Sequence, residues 1–309
     1  MAECGIVIVT YNSEKEIGAC LEAALASGAD VVIIDNASED GTREEIARSG
    51  ATGRGARLIA NPSNRGFAGA VNQGFAALDA PFVLLLNPDA VLRTGLTALR
   101  DACAQPGAAG AGGRLVDSAG HSQTGFMIRR LPTPAALSLE VLLLNRIFPG
   151  NRINRRYRGL DLDDSLPLEV EQPAGAFLMV RRAVWEELGG FEEGFFPLWF
   201  EDVDFCRRAI DRGYRLYYCP QAVAEHSGGH SLSRLGLEMC RFYWYRSLLK
   251  YSARHFSPVA FRALSLAVVT GSILRGVAES VLCRSLKPMA AYGNVAQLAS
   301  RCLFLGWKM

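Results

Sequence analysis

The chain has 309 residues, half of them hydrophobic and 21% charged, with a formal net charge of +2. That supplies a core for one large or two ordinary domains and excludes a disordered chain or a small disulfide-stapled one. The charge is polarised: from Arg241 onward ten Lys and Arg residues meet one acid, Glu279, leaving 23 basic and 30 acidic residues upstream, so the tail is +9 and the body −7.

In chain order, "GIVIVT" (5–10), "VVIID" (31–35), "RLIA" (57–60), "FVLLL" (82–86) and a segment near 108–113 predict strands. Helices are predicted between them at 14–27, 40–48, 67–78 and 95–104. This alternation predicts βαβ units and a mostly parallel, Rossmann-like α/β sheet, and the uninterrupted apolar runs predict strands covered on both faces. Residues 115–170 are less regular and include the basic stretch 146–158. A strand in "AGAFLMVRR", a helix in "AVWEELGG" and a helix in "FEDVDFCRRAIDRGY" follow, then strands at 214–218 and 222–226. Helices at 235–255 and 259–284 complete the chain. The expected organisation is an α/β domain over 1–235, with a nucleotide-binding half (1–115) and a catalytic and acceptor half (116–235), and a basic amphipathic helical tail over 236–309.

Eight cysteines without C-x-x-C spacing read as reduced thiols. The acidic start "MAECGIVIVT" lacks the features of a signal peptide, which predicts a cytoplasmic protein. No uninterrupted apolar run reaches the ~18 residues of a span. The nearest, "ALSLAVVTGSIL" between Arg262 and Arg275, predicts an interfacial or buried helix, too short to cross a bilayer.

Ligands of open parallel sheets bind beyond the carboxyl ends of the strands. Four strand ends here are polar: Thr10-Tyr11-Asn12, Asp35-Asn36, Asn61-Pro62 and Asn87-Pro88-Asp89. The plain alternative is four independent helix caps. "TYNSEKE" after the first strand is neither a G-x-G-x-x-G fingerprint nor a P-loop. Carboxylates at two strand ends would repel a bare phosphate, but suit a diphosphate bridged by Mg²⁺ or Mn²⁺. Arg65, before a glycine-broken turn, is suited to a base or a phosphate, or is a plain surface arginine.

The segments "VTYN", "VVIIDNASEDGT", "NRGFAGAVNQG", "LLLNPDA", "GAFLMVRRAVWEELGGFEEGFF", "FEDVDFCRRAIDRGY" and "EHSGGHS", in this order, resemble family 2 glycosyltransferases, most closely the rhamnosyltransferase-like branch. The resemblance covers roughly residues 4–235. It implies a GT-A fold and inverting transfer of a sugar from a nucleotide diphosphate donor, dTDP-L-rhamnose or a UDP-sugar, to an acceptor hydroxyl on a glycan or polyprenyl-linked glycan of the cell envelope. It implies a nucleotide-sugar site of Thr10, Tyr11, Asn12, Asp35, Asn36, Arg65, Asn87 and Asp89. Asn87 and Asp89 take the place of the family's D-x-D, with Asn for the first Asp. Asp89 and His226 would be metal ligands, with a weaker claim for His230, and imidazole suits Mn²⁺ better than Mg²⁺. The second acid of Glu201-Asp202 is the implied base. A helix N-terminus favours its ionised form, though first-turn acids there also simply stabilise a helix. Trp199 and Phe200 are read as an apolar wall or as core residues, and Glu201 as part of the acceptor and sugar pocket.

The tail's Tyr, Trp, Lys and Arg predict an anionic membrane surface as partner, and hence peripheral association with the inner face of the cell membrane. A second copy of the chain is the other candidate partner. Nucleic acid is not expected, because no module that reads it is present. A sugar nucleotidyltransferase would need a glycine-rich loop after the first strand, and a non-catalytic nucleotide-sugar binder would have no use for Asp202. The stretch 146–158 is read as a solvated loop in preference to a contact for an acceptor diphosphate.

Overall fold

The computed structural model describes residues 3–228 and 237–307. The chain opens with β1 (Cys4–Thr10), α1 (Ile17–Ala26), β2 (Asp30–Asp35), α2 (Thr42–Arg48), β3 (Arg57–Ala60), α3 (Gly66–Ala76) and β4 (Phe82–Leu86). Next come β5 (Ala90–Thr94), α4 (Leu96–Ala104), β6 (Ala108–Val116) and β7 (Ile128–Arg129). An irregular stretch holds α5 (Pro134–Val141), α6 (Leu144–Ile147) and α7 (Arg152–Tyr157). It leads to β8 (Leu168–Val170), β9 (Gln172–Pro173), β10 (Phe177–Arg181), α8 (Arg182–Leu188), α9 (Glu201–Asp211) and β11 (Arg215–His226). Three long helices follow: α10 (Leu237–His255), α11 (Pro258–Cys283) and α12 (Lys287–Leu305).

The chain divides into two compact units: residues 1–130, 162–197 and 201–231, and residues 131–161, 198–200 and 232–309. Residues 131–161 pack with the helical tail, on the far side in sequence from the boundary expected at residue 235. At Gly271, α11 runs so close to α5 that a β-carbon would lie 2.2 Å from the Val141 carbonyl oxygen. Arg275 donates to the Glu140 carbonyl at 2.8 Å.

The first unit is built on a nine-stranded sheet, in the order β3-β2-β1-β4-β10-β6-β11-β5, with β8 pairing β11. Its N-terminal half is parallel, as the βαβ pattern predicts. β10 then enters antiparallel between β4 and β6, and β5 and β8 pair antiparallel with β11, so the whole sheet is mixed. β10 follows a long excursion of the chain, which frees it from the handed crossover that aligns β1 to β4. The two strands expected at 214–226 are one, bulged between Cys219 and Val223 around Pro220. Proline has no N–H to give to a ladder, so the bulge absorbs it. β3, expected to be covered on both faces, lies at the sheet's edge and is largely exposed.

One face of the parallel half packs Val7, Val9, Val32, Ile34 and Val83 against Phe75, Trp185, Phe191 and Phe205. Trp185 stacks on Phe75 with ring centroids 3.8 Å apart. This rigid layer fixes the strand ends on which the polar residues sit.

In the second unit the aromatic helix α10 is a core element. Tyr245, Leu248, Leu249, Lys250 and Tyr251 are all buried, so two of the aromatic residues expected at a membrane interface pack inward, while Phe242, Tyr243 and Trp244 are half-buried. Many of the unit's exposed apolar side chains belong to α11 and its turn into α12, among them Leu266, Ile273, Leu274, Val281, Leu282 and Leu286. α11 has 26 residues and a mean hydropathy of 1.5 over its best window, of which 28% is buried. By length and composition it can cross a membrane, which corrects the expectation of a helix too short to do so. Thr270, Gly271 and Ser272 interrupt the apolar run, but no charged residue lies between Arg262 and Arg275, so the average stays high. Ser265 bonds back to the Phe261 carbonyl at 2.9 Å. Glu279, the one acid after Arg241, is held by Arg241 at 2.9 Å and by the Tyr292 hydroxyl at 2.9 Å.

Candidate active site

Thr10 and Asp35 are partners in the register of β1 and β2, and both are fully buried. One Asp35 oxygen, Oδ2, accepts from Arg43 Nε at 2.5 Å and from the Ser38 N–H at 3.4 Å. The other, Oδ1, is buried without a hydrogen-bond partner, as is Thr10 Oγ1. A fully buried carboxylate oxygen and a hydroxyl side by side without partners call for an explanation, because such groups are rarely left unsatisfied. An N–H and a hydroxyl or carbonyl supplied by a ligand would satisfy both. Asn36 holds the adjoining loop. Its Nδ2 donates to Asn64 Oδ1 and the Gly66 carbonyl, and its Oδ1 accepts from Asn61 Nδ2 and the Arg65 N–H. Both N–H groups and both lone pairs are thus used, and Asn36 acts by bringing Arg65 to the rim, where its side chain is exposed. Asn12 takes a left-handed φ of 55° and accepts from the Glu39 N–H at 2.7 Å, and Tyr11 beside it is half-buried.

Arg43 was not foreseen, because in sequence it reads as one more charge in the first turn of α2. Besides Asp35 it reaches the Asn61 carbonyl at 3.4 Å. It engages one Asp35 oxygen, and the other is left without a hydrogen-bond partner. Arg43→Met is expected to weaken nucleotide binding about tenfold, the loss typical of one charge-assisted hydrogen bond. Titration calorimetry with nucleoside diphosphates checks it.

The second cluster lies where β4 and β11 end. The Asn87-Pro88-Asp89 turn is closed by the Ala90 N–H on the Asn87 carbonyl, and the Asn87 N–H donates to Ala176. Among the described residues the Asn87 side chain makes no hydrogen bond, and it is half-buried. The Asp89 carbonyl accepts from the Ser227 N–H, and Asp89 Oδ1 lies 3.5 Å from His226 Nε2. Gln123, also not foreseen, fixes the imidazole. Its Nε2 donates to the His226 backbone carbonyl at 2.6 Å, which leaves its Oε1 to face His226 Nδ1 at 2.9 Å. The proton of neutral His226 therefore sits on Nδ1, and the Nε2 lone pair points at Asp89. Burial lowers the His226 pKa, against the opposing pull of Asp89. Phe126 stacks on the imidazole at 5.4 Å.

A lone pair and a carboxylate oxygen at this spacing suit a shared divalent cation. No group of three or more such side chains exists among the described residues, so water or ligand oxygens would complete the shell. A cavity of about 550 Å³ opens beside Asp89, lined by Lys15, Glu16, Val91, Arg93 and Glu225 among others. His230 lies outside the described residues.

Asp202 opens α9. Its Oδ2 accepts from the Gly175 N–H at 2.9 Å and Gln172 Nε2 at 3.3 Å, and its Oδ1 from the Val203 N–H at 2.8 Å. Burial raises its pKa, partly offset by the hydrogen bonds from Gly175 and Val203 and by the charge of Arg129. A β-carbon at Gly175 would lie 3.0 Å from both Cβ and Oδ2 of Asp202. Gly175→Ala is thus expected to displace the carboxylate, lowering transfer about tenfold or more without change in donor affinity. Steady-state kinetics beside calorimetry read the two separately.

Glu201 is buried, its Oε2 has no partner, and burial followed by the neighbouring Asp202 charge raises its pKa well above the ordinary value. Asp204 is engaged by Arg208 at 2.7 Å, the plain helix-stabilising role. Trp199 and Phe200 belong to the second unit and hold left-handed φ values of 77° and 72°. Phe200 is a core residue there, packed against Tyr251 and Trp244.

The family model described as "Glycosyl transferase family 2" matches residues 5–189. The N-acetylglucosaminyl-diphospho-decaprenol L-rhamnosyltransferase of Mycobacterium tuberculosis is 30% identical over 248 residues, 74% of this chain and 77% of that one. The low-salt glycan biosynthesis hexosyltransferase Agl10 of Haloferax volcanii is 24% identical over 73% of this chain and 67% of its own. In fold the chain is similar to the mannosyltransferase PcManGT of Pyrobaculum calidifontis, with a TM-score of 0.55 at 16% identity over 99% of this chain and 88% of that one. That likeness agrees with the expected GT-A fold and its helical C-terminal extension. The chain belongs to glycosyltransferase family 2 and is a rhamnosyltransferase-like glycosyltransferase.

Proposed function

We propose that the protein transfers a sugar, with inversion, from a pyrimidine nucleoside diphosphate donor to a hydroxyl of a lipid-linked glycan in cell-envelope polysaccharide synthesis. The observation that carries this reading is the Asp202 carboxylate, held by two backbone N–H groups and Gln172 in the unit that also holds the Asp89–His226 pair. In this scheme the acceptor hydroxyl gives its proton to Asp202 as its oxygen bonds the anomeric carbon. The bond from that carbon to the diphosphate oxygen breaks, and the nucleoside diphosphate leaves. Asp89 and His226 Nε2 would hold a Mn²⁺ or Mg²⁺ ion, which when bound supplies positive charge to the departing diphosphate. Thr10 Oγ1 and Asp35 Oδ1 would meet the N3–H edge of the base, Tyr11 and Asn12 would border it, and Arg65 would lie over it. Asn87 would hold a ribose or sugar hydroxyl. Glu201 would line the acceptor side.

Thymine and uracil present the same edge to Asp35, so that carboxylate does not choose between dTDP and UDP. The M. tuberculosis relative's name, an L-rhamnosyltransferase, favours dTDP-L-rhamnose, and its N-acetylglucosaminyl-diphospho-decaprenol favours a polyprenyl diphosphate-linked acceptor. The basic tail and the exposed apolar residues of α11 support a location at the cytoplasmic face of the membrane, where such an acceptor would reside. Calorimetry with dTDP, UDP and GDP in the presence of Mn²⁺ tests the donor: pyrimidine nucleotides alone should bind, dTDP most tightly. Preference for GDP would refute the assignment of Asp35.

A further inference from the structure

The segment 142–158 of the helical unit is built inside out. Asn145 and Asn154 are buried, while Ile147 and Phe148 are 63% and 64% exposed and Ile153 is 42% exposed. The apolar tip is not a loose end, because an asparagine network holds it out. Asn145 Nδ2 donates to Glu140 Oε2 at 2.9 Å, and Asn151 Nδ2 donates to Asn145 Oδ1 at 3.0 Å and to the Phe148 carbonyl at 2.7 Å. Asn154 Nδ2 donates to the Pro149 carbonyl at 2.7 Å, and Asn151 Oδ1 caps α7 through the Asn154 N–H at 2.8 Å. Arg158 closes the network on Asn154 Oδ1 at 3.1 Å and Glu140 at 3.6 Å. This corrects the expectation of a solvated loop: its backbone is braced and its apolar side chains are displayed. Arg146, Arg152 and Arg155 stand exposed beside them.

We propose that this segment is a membrane-seating wedge. Ile147 and Phe148 enter the boundary between headgroups and acyl chains of an anionic bilayer, and Arg146, Arg152 and Arg155 rest on lipid phosphates. This rests on the reading of the enzyme as membrane-associated, and adds a seating element outside the tail. The occupant follows from charge and polarity together. A water-exposed loop gains nothing by burying asparagines and displaying Ile-Phe, whereas an interface rewards apolar tips ringed by arginine. The only acid in the segment's hydrogen-bond network, Glu140, is turned to Asn145 and Arg158 and does not neutralise the displayed arginines.

The test uses the full chain and vesicles of phosphatidylcholine with or without phosphatidylglycerol. Ile147→Ser/Phe148→Ser should lose about tenfold or more in vesicle partitioning. Arg146→Gln/Arg152→Gln/Arg155→Gln should lose about a hundredfold on phosphatidylglycerol vesicles alone, with less effect at high salt. Donor hydrolysis should be unchanged in both, which shows that they fold. In a Phe148→Trp variant, the added fluorescence should shift to the blue on vesicles and be quenched by brominated lipid. If the wild type binds vesicles, but both sets of substitutions bind equally and Trp fluorescence gains no lipid-dependent change, the wedge is wrong and the membrane reading stands. If the wild type binds no vesicles, both fail. A blue shift without lipid, together with a doubled mass in solution, would assign the tip to a second copy of the chain and overturn the proposal.

Discussion

Asp202→Asn is expected to lower sugar transfer by about a thousandfold or more, in line with loss of a positioned general base, while donor affinity stays within about twofold. The amide oxygen of Asn can keep the hydrogen bonds from Gly175 and Gln172, but its nitrogen cannot accept from the Val203 N–H, so one hydrogen bond is lost along with the proton acceptor. The pKa of Asp202 is raised, chiefly by burial. As a base it works ionised, so activity should fall as pH drops through a value above the ordinary aspartate range. The stability effect has the opposite sense. A carboxyl whose pKa is raised on folding contributes stability that is present at low pH and lost as pH rises from the unfolded value through the folded one. Asp202→Asn removes that pH-dependent loss, so the melting temperature of the variant should fall less than that of the wild type as pH rises from the unfolded value through the folded one. Thermal melts across pH, with pH–rate profiles of the wild type, check both signs. A variant that turns over normally but binds donor poorly would remove Asp202 as the base.

Asp89→Ala is expected to weaken Mn²⁺ binding by about a hundredfold or more, and His226→Ala by about tenfold to a hundredfold. Asp89 is the only carboxylate in the pair, so of the two expected ligands it alone brings negative charge to the cation. The affinity for the nucleoside diphosphate should fall in parallel when Mn²⁺ is present, and should match the wild type in EDTA. Paramagnetic resonance of free Mn²⁺ gives the metal affinity directly, without reliance on turnover. Donor affinity that is the same with and without metal in the wild type would show that Asn87-Pro88-Asp89 has another purpose. Gln123 makes the account more specific, since it aims the imidazole by leaving Nε2 unprotonated.

The parallel half of the sheet was legible in the sequence because β1, β2 and β4 are buried on both faces and so read as unbroken apolar runs. β5 was not, since Ala90–Thr94 is a short edge strand ending in an exposed arginine and threonine, with no pattern of its own. The membership of 131–161 in the helical unit rests on close approaches such as that of Gly271 to Val141, contacts far apart in sequence that no local window carries. Among the site residues, Asp35, Asp89 and His226 stand at strand ends where a period-two reading can find them. Arg43 and Gln123 do not. Each acts through a hydrogen bond to a residue distant in sequence, and each looks locally like ordinary surface polarity. Tail charge was read correctly as a total but not in its placement: Lys250 is buried, and Glu279 is tied to Arg241.

The most direct test of the central claim is nucleoside diphosphate release from dTDP-L-rhamnose and from UDP-sugars, each with Mn²⁺, with Mg²⁺ and with EDTA, in the presence of a polyprenyl diphosphate-linked N-acetylglucosamine acceptor. The account predicts release from dTDP-L-rhamnose that needs a divalent cation and is absent in Asp202→Asn. Undiminished release in EDTA, or release that survives Asp202→Asn, would contradict it.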